Sequence, residues 1–135
     1  MIKASAFWLF ALLALALPCL IQAGWDVTYP NIHTKWKRGS THNIKWKPSA
    51  APNNLIPATF DIYFEVNNNG HPHQYMIETV KANVKNTTFS TKFTVPKSSP
   101  YYTGNLGKPS QFVLVFYSTD PAFPIRQFSD SFEVV

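Results

Sequence analysis

The prolines of this sequence separate short runs in which apolar and polar residues alternate. In "TFDIYFEV" at 59–66, Phe60, Ile62 and Phe64 fall on one side of an extended chain, because successive side chains of a strand point to opposite faces. After residue 23, no stretch repeats apolar residues at helical spacing over three turns, and prolines interrupt any long helix. The sequence therefore predicts an all-β fold.

The alternating runs predict about seven strands, a number typical of a single antiparallel β-sandwich of the immunoglobulin-like or fibronectin-III-like kind. The strands are expected at 25–29, 42–47, 58–66, 74–80, 84–95, 110–118 and 126–135. In the last of these, alternation predicts that Phe128 and Phe132 both face the core. The run "QFVLVFY" at 111–117 is apolar on both sides. It is either a central strand covered on both faces or an exposed face used for self-association or partner binding.

The first 23 residues have the pattern of a secretory signal peptide. Lys3 precedes an apolar run at 6–17, and Pro18 and Ala23 follow it. The run has twelve residues, fewer than the roughly 20 that span a bilayer. We expect cleavage after Ala23 and no membrane span.

Residues 24–135 are then expected to form one secreted domain, located outside the cell or in a cell wall. Cleavage removes Cys19, the only cysteine, so no internal disulfide is expected. The segment 126–135 has no apolar tail of the kind that a GPI anchor signal needs. In the secretory pathway, Asn86 of the sequon Asn-Thr-Thr is an expected N-glycosylation site.

The charge balance of the chain is mildly basic. Its 12 Lys and Arg and 7 Asp and Glu give a net charge of +5, which becomes +4 when Lys3 leaves with the signal peptide (11 minus 7). A positive protein favours anionic partners. Because the sequence shows no continuous basic stripe, no nucleic-acid partner is expected.

Patterns that carry catalysis are absent from the sequence. Asp61 and Glu65 share a strand face, but four residues at about 3.3 Å each separate them by about 13 Å, too far for a glycosidase pair. No Gly-x-Ser-x-Gly elbow or glycine-rich phosphate loop is present. We expect neither enzymatic activity nor a cofactor. His71 and His73 of "HPH" are weak candidates for Cu or Zn ligands, with solvated turn histidines as the alternative.

The tryptophans and loop aromatics divide into core and candidate binding residues. Trp46 alternates with lysines on a strand and is expected in the core. Four other aromatics lie in Pro- or Gly-flanked segments, and aromatic faces of this kind bind sugar rings. These candidates are Trp36, Tyr101, Tyr102 and Phe123. The alternative is that each covers an end of the sandwich.

Several of these positions resemble the Ig-like N-terminal domain of the fungal killer-toxin-resistance and KNH cell-wall-synthesis proteins, a domain also found in Ser/Thr-rich GPI-anchored fungal surface proteins. The opening pattern of that family is matched by Val27, Pro30, Trp36, Gly39, Ile44 and Trp46. Its later aromatic-x-Val-Pro step and closing Ser-x-x-Phe strand are matched by Phe93, Val95, Pro96, Ser129 and Phe132. The resemblance covers nearly all of residues 24–135.

The resemblance implies a secreted, non-enzymatic module associated with fungal cell-wall organisation and β-1,6-glucan assembly, with wall polysaccharide or wall proteins as partners. The sequence lacks the Ser/Thr-rich stalk and anchor signal of the family, so a free secreted module is equally expected. The main alternative is a protein-interaction module that self-associates or binds a host or neighbouring protein, including as a homodimer through an edge strand. A carbohydrate-active or metal-binding protein comes third.

Overall fold

The computed structural model describes residues 24–49, 56–67, 76–102 and 111–135, which form nine strands arranged in two packed sheets. The strands are β1 (Trp25–Tyr29), β2 (Lys35–Trp36), β3 (Thr41–Pro48), β4 (Thr59–Val66), β5 (Met76–Lys85), β6 (Ser90–Thr94), β7 (Gln111–Ser118), β8 (Arg126–Phe128) and β9 (Phe132–Val134). The predicted all-β sandwich is therefore confirmed. Within these ranges, no helix is long and apolar enough to cross a bilayer.

The smaller sheet has the order β1-β3-β6, and the larger has the order β2-β9-β7-β4-β5. β8 pairs with the second half of β7, and β9 pairs with its first residues. All of these pairings are antiparallel except that of β2 with β9, which is parallel. The parallel pair lies at one edge of the larger sheet and involves β2, a strand of two residues that was not among the predicted strands.

The single strand predicted at 84–95 is in fact two elements separated by a turn. β5 ends at Lys85, whose carbonyl accepts a 2.9 Å hydrogen bond from the Thr88 amide, and β6 begins at Ser90. The turn carries the chain from the larger sheet to the smaller one. Phe89 is 45% exposed as a result, although it has the same strand parity as the buried residues Phe93 and Val95.

The strand predicted at 126–135 is also divided, by a bulge at Ser129. The hydroxyl of Ser129 accepts a 2.9 Å hydrogen bond from the Leu114 amide, so a side chain takes the place of a backbone carbonyl in the ladder. The Ser129 amide donates to the Leu114 carbonyl, also at 2.9 Å. Such a bulge changes which side chains face inward. Phe132 is buried as predicted, but Phe128 is 40% exposed and the prediction for it is wrong.

Aromatic side chains from both sheets fill the core. At one end, the Trp46 ring meets those of Phe60 and Phe116 edge-on, with ring centroids 5.9 Å and 5.3 Å away. At the other end, the ring centroids of Trp36 and Phe132 lie 4.5 Å apart. Tilted and edge-on aromatic pairs contribute about 0.5–1.5 kcal/mol each beyond the burial of apolar area. Trp46 is in the core, as predicted.

The beginning of β1 is joined to β8 by a contact between distant parts of the chain. The Trp25 amide donates a 2.7 Å hydrogen bond to Oε1 of Gln127. A Cβ on the preceding residue, Gly24, would lie 2.4 Å from that same oxygen, and the φ of Gly24 is +136°. Only glycine fits this position without a shift of the backbone or of Gln127.

Candidate functional site

Two of the four predicted sugar-binding aromatics are buried in the core. Trp36 is fully buried because β2 pairs with β9, and its Nε1 donates a 3.0 Å hydrogen bond to the Tyr29 hydroxyl. Tyr102 is 5% exposed, its hydroxyl donates to the Pro96 carbonyl, and the Arg38 guanidinium carbon lies 4.6 Å from its ring centroid. Neither ring is accessible for stacking on a sugar, and this prediction is wrong for both residues.

The other two candidates, Tyr101 and Phe123, lie at opposite ends of the sandwich. Tyr101 is 37% exposed and adjoins Tyr102, which packs against Phe112 near the start of β7. Phe123 is half-buried in the loop that follows the end of β7. β7 has eight residues, so its ends are about 23 Å apart. The four predicted aromatics therefore do not form one site.

The remaining predicted site residues are the histidines of "HPH" and the sequon asparagine. His71 and His73 lie outside the described residues. Among the residues that the structure describes, no three His, Cys, Asp or Glu side chains lie close enough to hold a metal ion. Asn86 is exposed in the turn between β5 and β6, and its amide donates a 3.1 Å hydrogen bond to the Ala58 carbonyl. Its glycosylation stays a prediction.

A pocket lies beside the loop that joins β7 to β8. The loop closes because the Ser118 amide donates to the Ile125 carbonyl at 2.8 Å. Within it, Oδ1 of Asp120 accepts a 3.0 Å hydrogen bond from the Ala122 amide, an arrangement that favours a tight turn. Oδ2 of Asp120 accepts a 3.4 Å hydrogen bond from the Ala58 amide just before β4. The Asp120 carboxylate therefore fixes the loop in place.

The pocket is open and has a volume of about 440 Å³. Its lining combines aromatic, proline and polar residues: Tyr117, Ser118, Thr119, Asp120, Pro121, Pro124, Ile125, Arg126 and Phe128. Concave sites with apolar walls and a few polar groups are the usual form of small-ligand sites. Phe123, although it belongs to the same loop, is not among the lining residues.

The pocket opens onto an outward-facing surface of the larger sheet that we call the aromatic face, formed by Tyr63, Tyr117, Arg126 and Phe128. Tyr117 pairs with Arg126 across the β7–β8 ladder. Phe128 is therefore its diagonal neighbour, with Cα atoms about 7 Å apart. Tyr117 and Phe128 are each 40% exposed. The guanidinium carbon of Arg126 lies 5.5 Å from the Phe128 ring centroid, within the range of a cation–π contact.

On β4, Asp61 and Tyr63 continue the outward-facing side of the sheet. The Tyr63 hydroxyl donates a 2.8 Å hydrogen bond to Oδ2 of Asp61, and the Asn83 amide donates a 2.9 Å hydrogen bond to Oδ1. Burial, followed by this hydrogen bond and by the charges of Asp61, Glu65 and Tyr117, raises the pKa of Tyr63 to about 12. Tyr63 is therefore a neutral hydrogen-bonding phenol at physiological pH.

The groups around the pocket offer both apolar and polar contacts to a ligand. Two exposed rings supply apolar contact, and the Arg126 guanidinium supplies hydrogen-bond donors at their edge. The carboxylates of Asp61 and Asp120 each accept hydrogen bonds on both oxygens from the protein itself. These two carboxylates hold the scaffold of the site.

Sequence reasoning missed the aromatic face, although the run "QFVLVFY" placed Tyr117 on the same side of the strand as Val113 and Val115. Val113 and Val115 are buried on the outward side of β7, which confirms that a central strand covered on both faces was the better interpretation of "QFVLVFY". Tyr117, two residues beyond Val115, shares its parity but is exposed. Only the bulge at Ser129 turns Phe128 toward this side, and no local pattern predicts that bulge.

Comparisons of the chain with protein-family models, with curated proteins and with solved structures found no match. The geometry of the aromatic face and the resemblance given above are therefore the basis for a functional proposal.

Proposed function

We propose that the protein is a secreted, non-enzymatic, immunoglobulin-like module that binds polysaccharide of the fungal cell wall on its aromatic face. The observation that carries the proposal is the pair of exposed rings, Tyr117 and Phe128, held on neighbouring strands beside Arg126 at the mouth of a pocket. The fungal wall is the setting that the sequence resemblance implies.

Pyranose rings present faces of C–H groups and edges of hydroxyl groups. A tyrosine or phenylalanine ring offers apolar contact to such a face, while a guanidinium and a phenol donate hydrogen bonds to the hydroxyls. Two exposed rings on neighbouring strands, with Cα atoms about 7 Å apart, suit neighbouring sugars of one chain better than a single small ligand. This supports a polysaccharide as the ligand.

The strand order supports the immunoglobulin-like part of the proposal. In that fold, strands A, B, E and D share one sheet, and C, F and G share the other, to which variable-type domains add C′. The sheet β1-β3-β6 corresponds to A, B and E, and the sheet β9-β7-β4-β5 to G, F, C and C′, with β2 added beside β9 and no counterpart of D among the described residues.

The β5 edge of the larger sheet is poorly suited to strand addition by a protein partner, which is the mode of binding in the main alternative. The pairing of β4 with β5 has three register shifts, and Asn83 of β5 has a φ of +54°. Irregular edges that carry charged residues, here including Lys81 and Lys85, disfavour the addition of another strand.

The proposal is tested by retention of the purified protein on insoluble fungal-wall glucan and on chitin, at low and high salt. Tyr117→Ala and Phe128→Ala should each reduce retention about tenfold, as expected for the loss of a stacking contact worth about 1.4 kcal/mol. Retention of the unmodified protein should persist at high salt, because stacking is not screened.

Matched controls exist for both variants. Tyr101 is 37% exposed and Phe89 is 45% exposed, and both lie away from the pocket lining. Tyr101→Ala and Phe89→Ala should leave retention unchanged. Equal losses in the controls, or no retention of the unmodified protein on any wall polysaccharide, would overturn the proposal.

A further inference from the structure

The outward side of the smaller sheet carries only polar and charged side chains, with lysine as its main charged residue. Along the central strand β3, Thr41, Asn43, Lys45 and Lys47 are exposed and alternate with the core side chains. The outward-facing residues of the two flanking strands are Asp26, Thr28, Ser90, Lys92 and Thr94. We call the outward side of these three strands the lysine face.

The lysines of this face lie near one another. Lys45 and Lys47 are two residues apart on one strand, about 7 Å. Lys92 pairs with Asn43 across the β3–β6 ladder and is therefore the diagonal neighbour of Lys45. Lys37 and Lys97, both exposed, lie in the segments that lead into β3 and out of β6.

None of these ammonium groups lies within 4 Å of a carboxylate oxygen among the described residues. Among the described residues, the one ion pair within 4 Å joins Lys35 to Glu133, on the larger sheet. The lysine face contains one acidic residue, Asp26, which pairs in register with Lys47 at one end. The three strands of the face therefore have a net positive charge over a length of about 13 Å, from the level of Asn43, which pairs with Lys92, to Lys47.

We propose that the lysine face is a second binding surface, and that its ligand is a linear polysaccharide carrying anionic groups. Three cations spaced along about 13 Å match a polymer with repeated charges better than one small anion. The hydroxyl and amide groups of Thr28, Asn43 and Ser90, which lie between the lysines, match the hydroxyls of sugars.

The outward-facing residues of β1, β3 and β6 favour this ligand over single-stranded nucleic acid and over a lipid surface. They include no aromatic side chain on which a nucleobase could stack, and no aliphatic one that could enter a lipid surface. This surface is on the opposite side of the sandwich from the aromatic face, so the proposal does not depend on the function proposed above.

The test compares binding of the full chain, purified as its expression host processes it, to dextran sulfate and to uncharged dextran. We expect binding to dextran sulfate alone, and a fall in affinity as salt is raised. The double variant Lys45→Glu, Lys92→Glu should bind about tenfold more weakly, because two exposed ion pairs become repulsions.

The matched control is Lys81→Glu, Lys85→Glu, which makes the same change in net charge on β5 of the larger sheet. It should retain nearly all of the affinity for dextran sulfate. A loss equal to that of Lys45→Glu, Lys92→Glu would show that affinity depends on net charge alone, and would overturn the proposal. Lys45→Gln, Lys92→Gln serves as a milder pair should the glutamate variant unfold. It should lose affinity in the same direction, and no change in it would count against the proposal.

Two further arms separate this ligand from others and this surface from the aromatic face. Tighter binding to duplex DNA or to anionic lipid vesicles than to dextran sulfate at equal salt would overturn the choice of polysaccharide. The variant Tyr117→Ala, Phe128→Ala should bind dextran sulfate as the unmodified protein does. A comparable loss in that variant would mean that the lysine face is not a separate site.

Discussion

The two outward sides of the sandwich differ in the burial and polarity of their side chains. On the larger sheet, the outward side of β7 includes buried Val113 and Val115, and aromatic rings border them. On the smaller sheet, every outward residue of β1 and β6, and those of β3 from Thr41 to Lys47, is exposed and polar. One side is partly a second apolar layer, whereas the other is a solvated charged surface.

This difference means that identical substitutions have unequal effects on the two sides. A central strand covered on both faces contributes apolar burial twice, so a charge on either of its faces is desolvated. A central strand with one solvated face tolerates almost any polar residue there. β7 is the first kind of strand and β3 is the second.

The largest effect is expected from an aspartate placed on the outward side of each central strand. Val115 is fully buried, so Val115→Asp should lower the free energy of unfolding by about 3 kcal/mol or more. Asn43→Asp, at an exposed outward position of β3, should change it by less than about 0.5 kcal/mol. Urea unfolding of both variants measures the difference, and similar losses would mean that the two sides do not differ in this way.

An intermediate effect is expected from the carboxylate that holds Tyr63. Asp61→Ala removes the acceptor of the Tyr63 hydroxyl and of the Asn83 amide, and should destabilise the fold by about 1 kcal/mol. The pKa of Tyr63 should fall from about 12 part of the way toward 10, because burial, its largest cause, remains. Tyrosine absorbance against pH, with Tyr63→Phe to assign the transition, measures this.

The same phenol makes stability depend on alkaline pH. A folded pKa above the unfolded value of 10.0 contributes stability that is complete below pH 10 and is lost as the pH rises toward about 12. Asp61→Ala should lose less stability over that range than the unmodified protein. The matched change Asp26→Ala, on the lysine face, should leave the alkaline transition where it is. A shift in both variants would contradict the assignment to Asp61.

The smallest effect is expected at acidic pH, from the smaller sheet. The Trp36 indole donates to the Tyr29 hydroxyl, which lies 3.2 Å from Nδ1 of His42, and Nε2 of His42 lies 2.7 Å from the Ser40 hydroxyl. These contacts fit a neutral imidazole that accepts from Tyr29 and donates to Ser40. Burial lowers the pKa of His42 below 6.5.

A lowered folded pKa means that stability falls as the pH drops below 6.5 and levels off below the folded pKa of His42. His42→Gln, which keeps an acceptor and a donor without a titrating group, should flatten this part of the curve. Urea midpoints between pH 7 and pH 5 measure the slope. Parallel slopes in the variant and the unmodified protein would assign the acid sensitivity to other groups.

The parts of the fold that local alternation determines were predictable. Ile44 and Trp46 on β3, and Phe60, Ile62 and Phe64 on β4, are buried as their spacing requires. Trp36 was placed wrongly because its burial depends on pairing with Val134, which is far away in the sequence. A strand of two residues carries too short a pattern to show this on its own.

The candidate site was less predictable than the core. Tyr117 follows five buried residues at 112–116, and nothing in the local sequence shows where burial of the outward side of β7 ends. Phe128 faces outward only because the Ser129 hydroxyl enters the ladder to Leu114. The position of Phe128 in the pocket lining thus depends on a side-chain hydrogen bond between two strands. The alternation of apolar and polar residues along a strand does not predict such a hydrogen bond.

The joining of the first strands to the last ones has a consequence for the order of folding. Trp25 and Gln127, which the amide hydrogen bond connects, are 102 positions apart, and β2 has its strand partner in β9. During synthesis, β1 and β2 emerge first, but these partners emerge among the last residues. Completion of the sandwich therefore waits for the final strands, and until then Trp36 remains without the neighbour that buries it.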